Sequence, residues 1–272
     1  MSVRADSHDD ADLARLRYRL ARRFALRDLP LSLTGAAAPL LIALPADPDA
    51  PLDQMAARQA ERRAAGVVAP PPDDQSAAAT ARATVEAGAH LPYWALLWPS
   101  GLALAEALLA EPSSAQGART LELGCGLGVT AAVALQLGAR LTVCDLFDDA
   151  LLFAEYNTRR VAGRAPASLL VNWRTPAGRE RLLRGAPYDL LLAADVLYER
   201  EDIEPLLALA PALLPAGGVF WLAEPGRKAS AAFVAEALAC GWRDHLSAVE
   251  RAWPPDGDTR RIVVHRFTLP GG

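Results

Sequence analysis

The residues with the clearest chemical potential form a short glycine-rich stretch near the middle of the chain. A carboxylate, Glu122, precedes Gly124, Gly126 and Gly128, so glycine occupies every second position. Glycine lets the backbone approach a ligand where a Cβ atom would collide, and the helix that follows offers unpaired N–H groups at its N-terminus. The stretch therefore predicts a nucleotide-type binding loop. It departs from the dinucleotide fingerprint G-x-G-x-x-G, whose sixth position is Val129 here.

A second carboxylate, Asp145, closes an apolar run and lies about twenty residues after the first glycine of the loop. In nucleotide-binding α/β folds an acidic residue at this place accepts hydrogen bonds from the ribose hydroxyls. An acidic helix cap is the alternative interpretation of Asp145. Its distance from the loop and its position at a strand end together favour ribose binding.

The elements that must position these groups alternate between strand and helix. Apolar runs at 119–123 and 140–145 predict buried strands, and segments at 129–137 and 147–161 predict the helices that follow them. Further strands are predicted at 167–171, 188–194, 219–223, 246–253 and 261–269, and further helices at 102–109, 203–214 and 229–240. This order indicates an α/β fold with a Rossmann-like, seven-stranded, mostly parallel sheet, one antiparallel edge strand, and helices on both faces.

The chain begins with a segment of different character. Residues 1–89 are predicted to form a mainly helical extension without a core of its own, and residues 90–272 to form the main domain. Residues 1–12 are polar and predicted to be disordered, whereas 13–27 have the apolar spacing of a basic amphipathic helix. The remaining predictions are a strand at 40–44, helices at 52–65 and 76–87, and a stiff proline connector at 70–72.

The composition and charge argue against several classes of protein. A formal net charge of −4 argues against a general nucleic-acid binder, which needs a basic excess or a basic patch. The three cysteines show no C-x-x-C spacing, so neither a disulfide framework nor a zinc site is expected. No apolar stretch reaches the roughly 18 residues that a membrane span needs. We therefore expect a cytoplasmic protein with no metal, no nucleic-acid partner and no membrane span.

Three further local signatures carry candidate site residues. Trp98 lies in an aromatic, proline-containing segment before the glycine loop, and Asn172 and Trp173 follow the third predicted strand of the sheet. Asp195 and Tyr198 form an acid-x-x-aromatic step after the most apolar strand. A cap on the next helix is the alternative role for Asp195, and core packing is the alternative for Tyr198.

Together with the glycine loop, these signatures resemble the class I, seven-strand S-adenosylmethionine-dependent methyltransferases over residues 90–270. Within that class, the three local signatures resemble the seven-strand protein-lysine methyltransferase family. The resemblance implies that S-adenosylmethionine is the cofactor, with Glu122 and the loop glycines around its methionine portion. It implies a cofactor-binding set made of Trp98, Glu122, Gly124, Gly126, Gly128, Asp145, Asn172 and Trp173.

The same resemblance implies where the chemistry takes place. Trp173 would flank the adenine and Trp98 would close one wall of the site. Asp195 and Tyr198 would lie where the methyl group meets the acceptor, and they are the predicted catalytic residues. The implied partner is a protein that carries the target lysine. The acceptor amine must be neutral to react, and Asp195 is expected to orient the ammonium and help it lose its proton.

Two other interpretations share the cofactor motifs. A small-molecule or nucleic-acid methyltransferase would differ only at the acceptor. The negative net charge and the lack of an Asn-Pro-Pro-Tyr base-methylation motif argue against a nucleic-acid methyltransferase. A non-catalytic module that binds a nucleotide such as NAD would explain the glycine loop but would leave the acid-x-x-aromatic step unexplained.

Overall fold

The structure, a computed structural model, describes residues 3–64 and 91–270. Its strands are β1 (Leu26–Leu31), β2 (Leu40–Pro45), β3 (Arg119–Leu123), β4 (Arg140–Asp145), β5 (Ala167–Leu170), β6 (Leu190–Ala194), β7 (Val219–Glu224), β8 (Arg243–Ala252) and β9 (Thr259–Thr268). Its helices are α1 (Val3–Ala21), α2 (Ala50–Ala64), α3 (Pro99–Ala110), α4 (Val129–Gln136), α5 (Asp148–Ala162), α6 (Pro176–Leu183), α7 (Ile203–Leu213) and α8 (Lys228–Ala239). Within these ranges no helix is both long enough and apolar enough to cross a membrane.

Strands β3 to β9 form one seven-stranded sheet in the order β5-β4-β3-β6-β7-β9-β8. The strands from β5 to β7 pair in parallel, and β9 runs antiparallel to both of its neighbours. The predicted α/β fold with one antiparallel strand is therefore confirmed. The prediction that this strand lies at the edge is wrong. Residues 262–265 of β9 are buried whereas most of β8 is exposed, so the more apolar strand takes the interior position.

The central strand β6 is covered on both faces. Leu190 and Leu192 belong to one apolar cluster, with side chains from α3, α4 and α5, and Leu191 and Ala193 belong to a second, with side chains from α6, α7 and α8. A strand buried in this way needs apolar residues at every position, which explains why its sequence does not alternate. Helices therefore cover both faces of the sheet, as predicted.

The strand order reverses between β3 and β6, which are neighbours although β4 and β5 separate them in the sequence. In open α/β sheets the crevice outside the carboxyl ends of the strands at such a reversal is the usual ligand site. At this edge the glycine loop follows β3, Asp145 is the last residue of β4, and Asp195 follows β6.

The N-terminal segment differs from its prediction in two ways. Helix α1 begins at Val3, so the disorder predicted for residues 1–12 is wrong from that residue onward, and the helix ends at Ala21 rather than Arg27. β1 and β2 also pair as an antiparallel hairpin, of which only β2 was predicted. The proline connector at 70–72 and the helix at 76–87 lie outside the described residues.

Apolar side chains of this segment pack into the main domain. Leu20, Phe24, Leu31 and Ile42 are buried, and they belong to the same cluster as the helices that cover one face of the large sheet. Burial of apolar area is the main source of stability, so the segment is stabilised by the domain on which it lies. The boundary placed at residues 89 and 90 stays a prediction.

Candidate active site

The crevice at the carboxyl edge of the sheet brings together all the predicted site residues. One pocket is lined by Trp98, Gly124, Gly126, Asp145, Asn172, Trp173, Asp195 and Tyr198. An adjoining cavity is lined by Glu122 and Gly128, and it shares Trp98, Gly124 and Gly126 with the first. The two spaces therefore meet at the glycine loop. The structure thus gathers these residues in one place, and their individual roles stay predictions.

Gly126 and Gly128 need glycine for different reasons. Gly126 has a φ of +49°, and a Cβ atom there would lie 3.4 Å from the carbonyl oxygen of Trp94. Gly128 has a φ of +77° and comes directly before α4. A Cβ atom on Gly128 would lie 2.7 Å from Cα of Ala154, so its absence lets α4 start close against α5. The loop is thus shaped by backbone conformation and by helix packing as well as by the pocket.

Glu122 is a buried carboxylate with an unmatched oxygen. Its side chain is 2% exposed, and Oε2 has no hydrogen-bond partner among the described residues. Burial, followed by the charge of Asp145, raises the pKa of Glu122 to about 8. A buried polar atom without a partner calls for an explanation, and a cationic ligand in the adjoining cavity supplies one.

Asp145 holds the glycine loop while keeping capacity for a ligand. Its Oδ2 accepts a hydrogen bond from the N–H of Gly126 at 3.0 Å, and its Oδ1 accepts one from the N–H of Phe147 at 3.1 Å. Each carboxylate oxygen has a further lone pair, which can accept from a hydroxyl. Burial raises the pKa of Asp145 to about 6, so the carboxylate is mostly ionised at neutral pH.

The acid-x-x-aromatic step has a partner that the sequence did not indicate. Asp195 has a φ of +54°, and its two carboxylate oxygens accept hydrogen bonds from Nε and Nη2 of Arg227 at 2.6 and 3.1 Å. Asp195 is therefore half of a bidentate ion pair, and it does not cap the next helix. Tyr198 is 37% exposed, and its ring lies 5.5 Å from that of Tyr93 in an edge contact. Burial, followed by the charge of Asp202, raises the pKa of Tyr198 to about 12.

The sequence of the chain matches that of a known protein family. A family model described as "Lysine methyltransferase" matches residues 92–237, more than half of the chain. The chain belongs to this lysine methyltransferase family. The resemblance drawn from the glycine loop and the three local signatures is therefore confirmed.

Individual relatives match the sequence of this chain over a shorter length. The electron transfer flavoprotein beta subunit lysine methyltransferase of Xenopus laevis is 30% identical over 142 residues, which cover 50% of this chain and 53% of the relative. The protein N-lysine methyltransferase METTL21A of Xenopus tropicalis is 33% identical over 122 residues, covering 42% and 52%. The chain thus spans about half the length of these curated relatives. A solved magnesium protoporphyrin IX methyltransferase from Synechocystis PCC 6803 has 15% identity and a TM-score of 0.49, covering 72% and 86%.

A second ion-pair cluster, also unforeseen, supports the wall of the pocket in this family member. Arg174 follows Trp173, and its Nε and Nη1 donate to Asp202 at 2.5 Å and to Glu199 at 2.9 Å. Its guanidinium carbon lies 5.8 Å from the ring centre of Tyr198. The segment after β5 is in this way tied to the segment after β6. The family-matched step at 195–198 is consequently held from two sides, by Arg174 and by Arg227.

The N-terminal segment, which the family model does not cover, contacts the site through a buried amide. Asn157 on α5 is fully buried, and its Oδ1 accepts from the N–H of Ala43 in β2 at 2.8 Å. Its Nδ2 donates to the carbonyl of Ala43 and to that of Leu127, each at 2.9 Å. Leu127 lies in the glycine loop, so β2 is linked to the loop through one side chain.

Two further contacts of this segment reach the neighbourhood of the pocket. Phe24 packs against Trp94, a pocket residue, with ring centres 5.7 Å apart. Arg23 forms ion pairs with Asp148 and Asp149 in the first turn of α5, directly after the Asp145 segment. No group of His, Cys, Asp and Glu side chains suited to a metal ion occurs in the part of the chain that the structure describes.

Proposed function

We propose that this protein transfers a methyl group from S-adenosylmethionine to the ε-amine of a lysine in a protein substrate. The observation that carries the proposal is the crevice itself, where the glycine loop and Asp145 meet the Asp195 and Tyr198 step of a chain that belongs to the lysine methyltransferase family. The names of its relatives as lysine methyltransferases support the same acceptor.

The residues present fit the cofactor. Its methionine portion carries an ammonium group, and the unmatched Oε2 of Glu122 is a buried acceptor for a cation. Its ribose carries hydroxyl donors, and Asp145 has free lone pairs at the pocket wall. Trp173 and Asn172 line the same pocket and offer an aromatic face and an amide for the adenine. When bound, S-adenosylmethionine supplies a methyl group already activated by the positive sulfur.

The protein must then mainly align the acceptor and exclude water. Tyr198 presents a partly exposed ring, which suits the apolar stem of a lysine side chain. Trp98 is fixed by the hydrogen bond from its Nε1 to the carbonyl of Tyr93 at 2.8 Å, so it forms a rigid wall. Asp195 contributes as one half of a neutral pair with Arg227 rather than as a free carboxylate.

Two experiments test the proposal. Isothermal titration with S-adenosylmethionine and with NAD separates a methyltransferase from a dinucleotide-binding module, and we expect binding of the first only. In the second experiment, the purified wild-type chain and tritium-labelled S-adenosylmethionine are added to a lysate of cells that lack this enzyme. The Asp145→Ala chain, added in the same way, is the impaired control. We expect label in a protease-sensitive band and in methyl-lysine after acid hydrolysis. Label found only in small molecules or in RNA would refute the proposal.

We also propose a cytoplasmic location. All three cysteines are free, with Cys125 and Cys144 buried and Cys240 exposed. Free thiols are usual in reducing compartments. Fractionation of cells that express the tagged full chain tests this location, and recovery of the protein in a membrane or secreted fraction would count against it.

A further inference from the structure

A second cavity adjoins the cofactor pocket at Asp195 and Trp98. It has a volume of about 410 Å³, and its walls include Leu96, Trp98, Asp195, Arg227, Asp256 and Arg260. Trp98 and Asp195 also line the pocket that holds Asp145, so the two spaces meet at these two residues. A side chain that enters this second space, here named the acceptor cavity, reaches the two residues that both spaces share.

Arg227 lines the acceptor cavity beside these two shared residues. Its guanidinium binds both oxygens of Asp195, and its central carbon lies 5.7 Å from the ring centre of Trp98. The Asp195 side chain is 5% exposed whereas that of Arg227 is 36% exposed. A side chain that enters the acceptor cavity therefore contacts the carboxylate of Asp195 only as part of its ion pair with Arg227.

A buried network fixes the turn that carries Arg227. Glu224, at the end of β7, accepts a hydrogen bond from the N–H of Gly226 at 2.5 Å. Nε2 of His265 lies 3.6 Å from Oε1 of Glu224, and its Nδ1 lies 2.6 Å from Oδ2 of Asp244. These three side chains are less than a tenth exposed. The backbone next to Arg227 is thus anchored in the sheet.

The position of Asp195 is fixed as well. Its N–H donates to the carbonyl of Ala223 at 2.9 Å, while its φ of +54° is one that residues other than glycine rarely adopt. Such a conformation persists only where the surroundings determine it. Anchors on both partners indicate a permanent ion pair rather than one that a substrate displaces.

We propose that Arg227 is a positioning residue for methyl transfer: it neutralises Asp195, so that a lysine entering the acceptor cavity can lose its proton. This inference rests on the proposed function. A bare carboxylate beside the amine would stabilise the ammonium form, which has no lone pair to attack, whereas a nearby cation has the opposite effect. The ammonium proton passes to water at the cavity mouth. The nitrogen lone pair then bonds to the methyl carbon as the carbon–sulfur bond breaks, and that electron pair stays on sulfur.

The other titratable groups around Arg227 lie on three neighbouring segments. Tyr93 faces it from the segment before α3, and Glu224 from the end of β7. Asp256 in the β8–β9 turn and Arg260 at the start of β9 line the cavity, and they pair with each other at 3.2 and 2.6 Å. Glu224 shares His265 with Asp244. The four charged residues that line the cavity form two ion pairs, and removal of Arg227 leaves the carboxylate of Asp195 unmatched.

The test uses the full chain, tritiated S-adenosylmethionine and the lysate that lacks this enzyme, and it measures the initial rate of protein labelling from about pH 6 to pH 10. For Arg227→Gln we expect the acidic limb of the pH–rate profile to move up by about one pH unit. The labelling rate should then be roughly tenfold below wild type at neutral pH and equal to wild type at high pH. Arg227→Lys keeps the charge and should move the limb less. The double variant Asp195→Asn/Arg227→Gln should return the limb to its wild-type position.

Asp195→Asn alone, with Arg227 retained, should move the limb to lower pH, and it decides the question if Arg227→Gln fails to fold. Titration with S-adenosylmethionine measures the affinity of each variant, so that all rates are compared at a saturating cofactor concentration. An unmoved limb in Arg227→Gln or Asp195→Asn overturns the inference while the proposed function stands. Faster labelling by Arg227→Gln at neutral pH also overturns it, because the lysine would then take the place of Arg227. A wild-type chain that binds cofactor but labels no protein refutes the proposed function instead.

Discussion

Asn157 donates a hydrogen bond from its side-chain amide to the carbonyl of Leu127, 2.9 Å away in the middle of the glycine loop. The same amide group bonds both backbone groups of Ala43 in β2. One buried side chain thus joins the N-terminal segment, helix α5 and the loop. The N-terminal segment is therefore part of the structure that shapes the cofactor pocket, although the family model begins at residue 92.

Asn157→Ala should weaken both folding and cofactor binding. The substitution leaves buried backbone groups of Ala43 and Leu127 without partners, so we expect the free energy of unfolding to fall by about 2–4 kcal/mol. The loop also loses its support, and the affinity for S-adenosylmethionine should fall by about tenfold. Urea unfolding and calorimetric titration measure the two effects.

The matched control is Thr158→Val on the same helix. Thr158 is fully buried, and its hydroxyl donates to the carbonyl of Glu155 within α5. This variant should lose some stability and keep its affinity. Equal affinity in wild type and Asn157→Ala would show that the link to Leu127 does not shape the pocket.

Asp145→Ala should weaken binding of S-adenosylmethionine by about ten- to a hundredfold. A hydrogen bond to a charged group contributes roughly 1.5–3 kcal/mol, and the carboxylate also holds the N–H of Gly126. Asp145→Asn keeps an acceptor oxygen and should lose less. Circular dichroism establishes that both variants are folded, and a folded Asp145→Ala chain with wild-type affinity would remove the ribose assignment.

The strand ends could be predicted because one physical rule governs them. A polar residue that closes an apolar run, such as Asp145 or Asp195, must lie at the edge of the sheet where the strand leaves the core. Parallel strands share that edge, so sequence position alone places such residues in one crevice. The predicted bounds of β4 coincide with the observed ones, from 140 to 145.

The partners of these residues could not be predicted in the same way. Arg227 lies 32 residues after Asp195, and their pairing depends on β6 and β7 being neighbours and on one side-chain conformation. Helix α6 was missed because it is short, rich in arginine and interrupted by Gly178. It forms because Thr175 caps it through the N–H of Gly178 and because Leu182 is buried.

His265 should make folding stability depend on pH. Burial alone would lower the pKa of His265, but the hydrogen bond with Asp244 and the nearby carboxylate of Glu224 raise it to about 9. Because the folded pKa exceeds the unfolded value, this stabilisation is complete below about pH 6.5 and is lost as the pH rises through about 9. We expect a loss of about 2 kcal/mol in the free energy of unfolding across that range.

Urea unfolding at about pH 6 and pH 9.5 measures that loss in wild type and in His265→Gln. The variant should be less stable at the lower pH, and its stability should change less between the two values. The difference between the two chains isolates His265 from other groups that titrate over the same range. Parallel pH profiles for the two chains would contradict the assignment of a charged, buried histidine.

Glu122 should release a proton when S-adenosylmethionine binds. Burial and then the charge of Asp145 raise its pKa to about 8, so at pH 7 the free protein holds this carboxyl mostly protonated. The ammonium of the cofactor favours the ionised form, because an opposite charge lowers the pKa of a carboxyl. Binding at pH 7 should therefore release about one proton, and affinity should rise up to about tenfold per pH unit between roughly pH 6.5 and 7.5.

Calorimetric titration at pH 7 in two buffers with different ionisation enthalpies counts the proton directly. Glu122→Gln keeps the shape and cannot ionise, so its observed enthalpy should be the same in both buffers apart from a small contribution of Asp145, whose pKa is about 6. The variant should also lose most of the pH dependence of its affinity. If wild type binds with no proton release, Glu122 does not face the ammonium, and its unmatched oxygen has another partner in the complex.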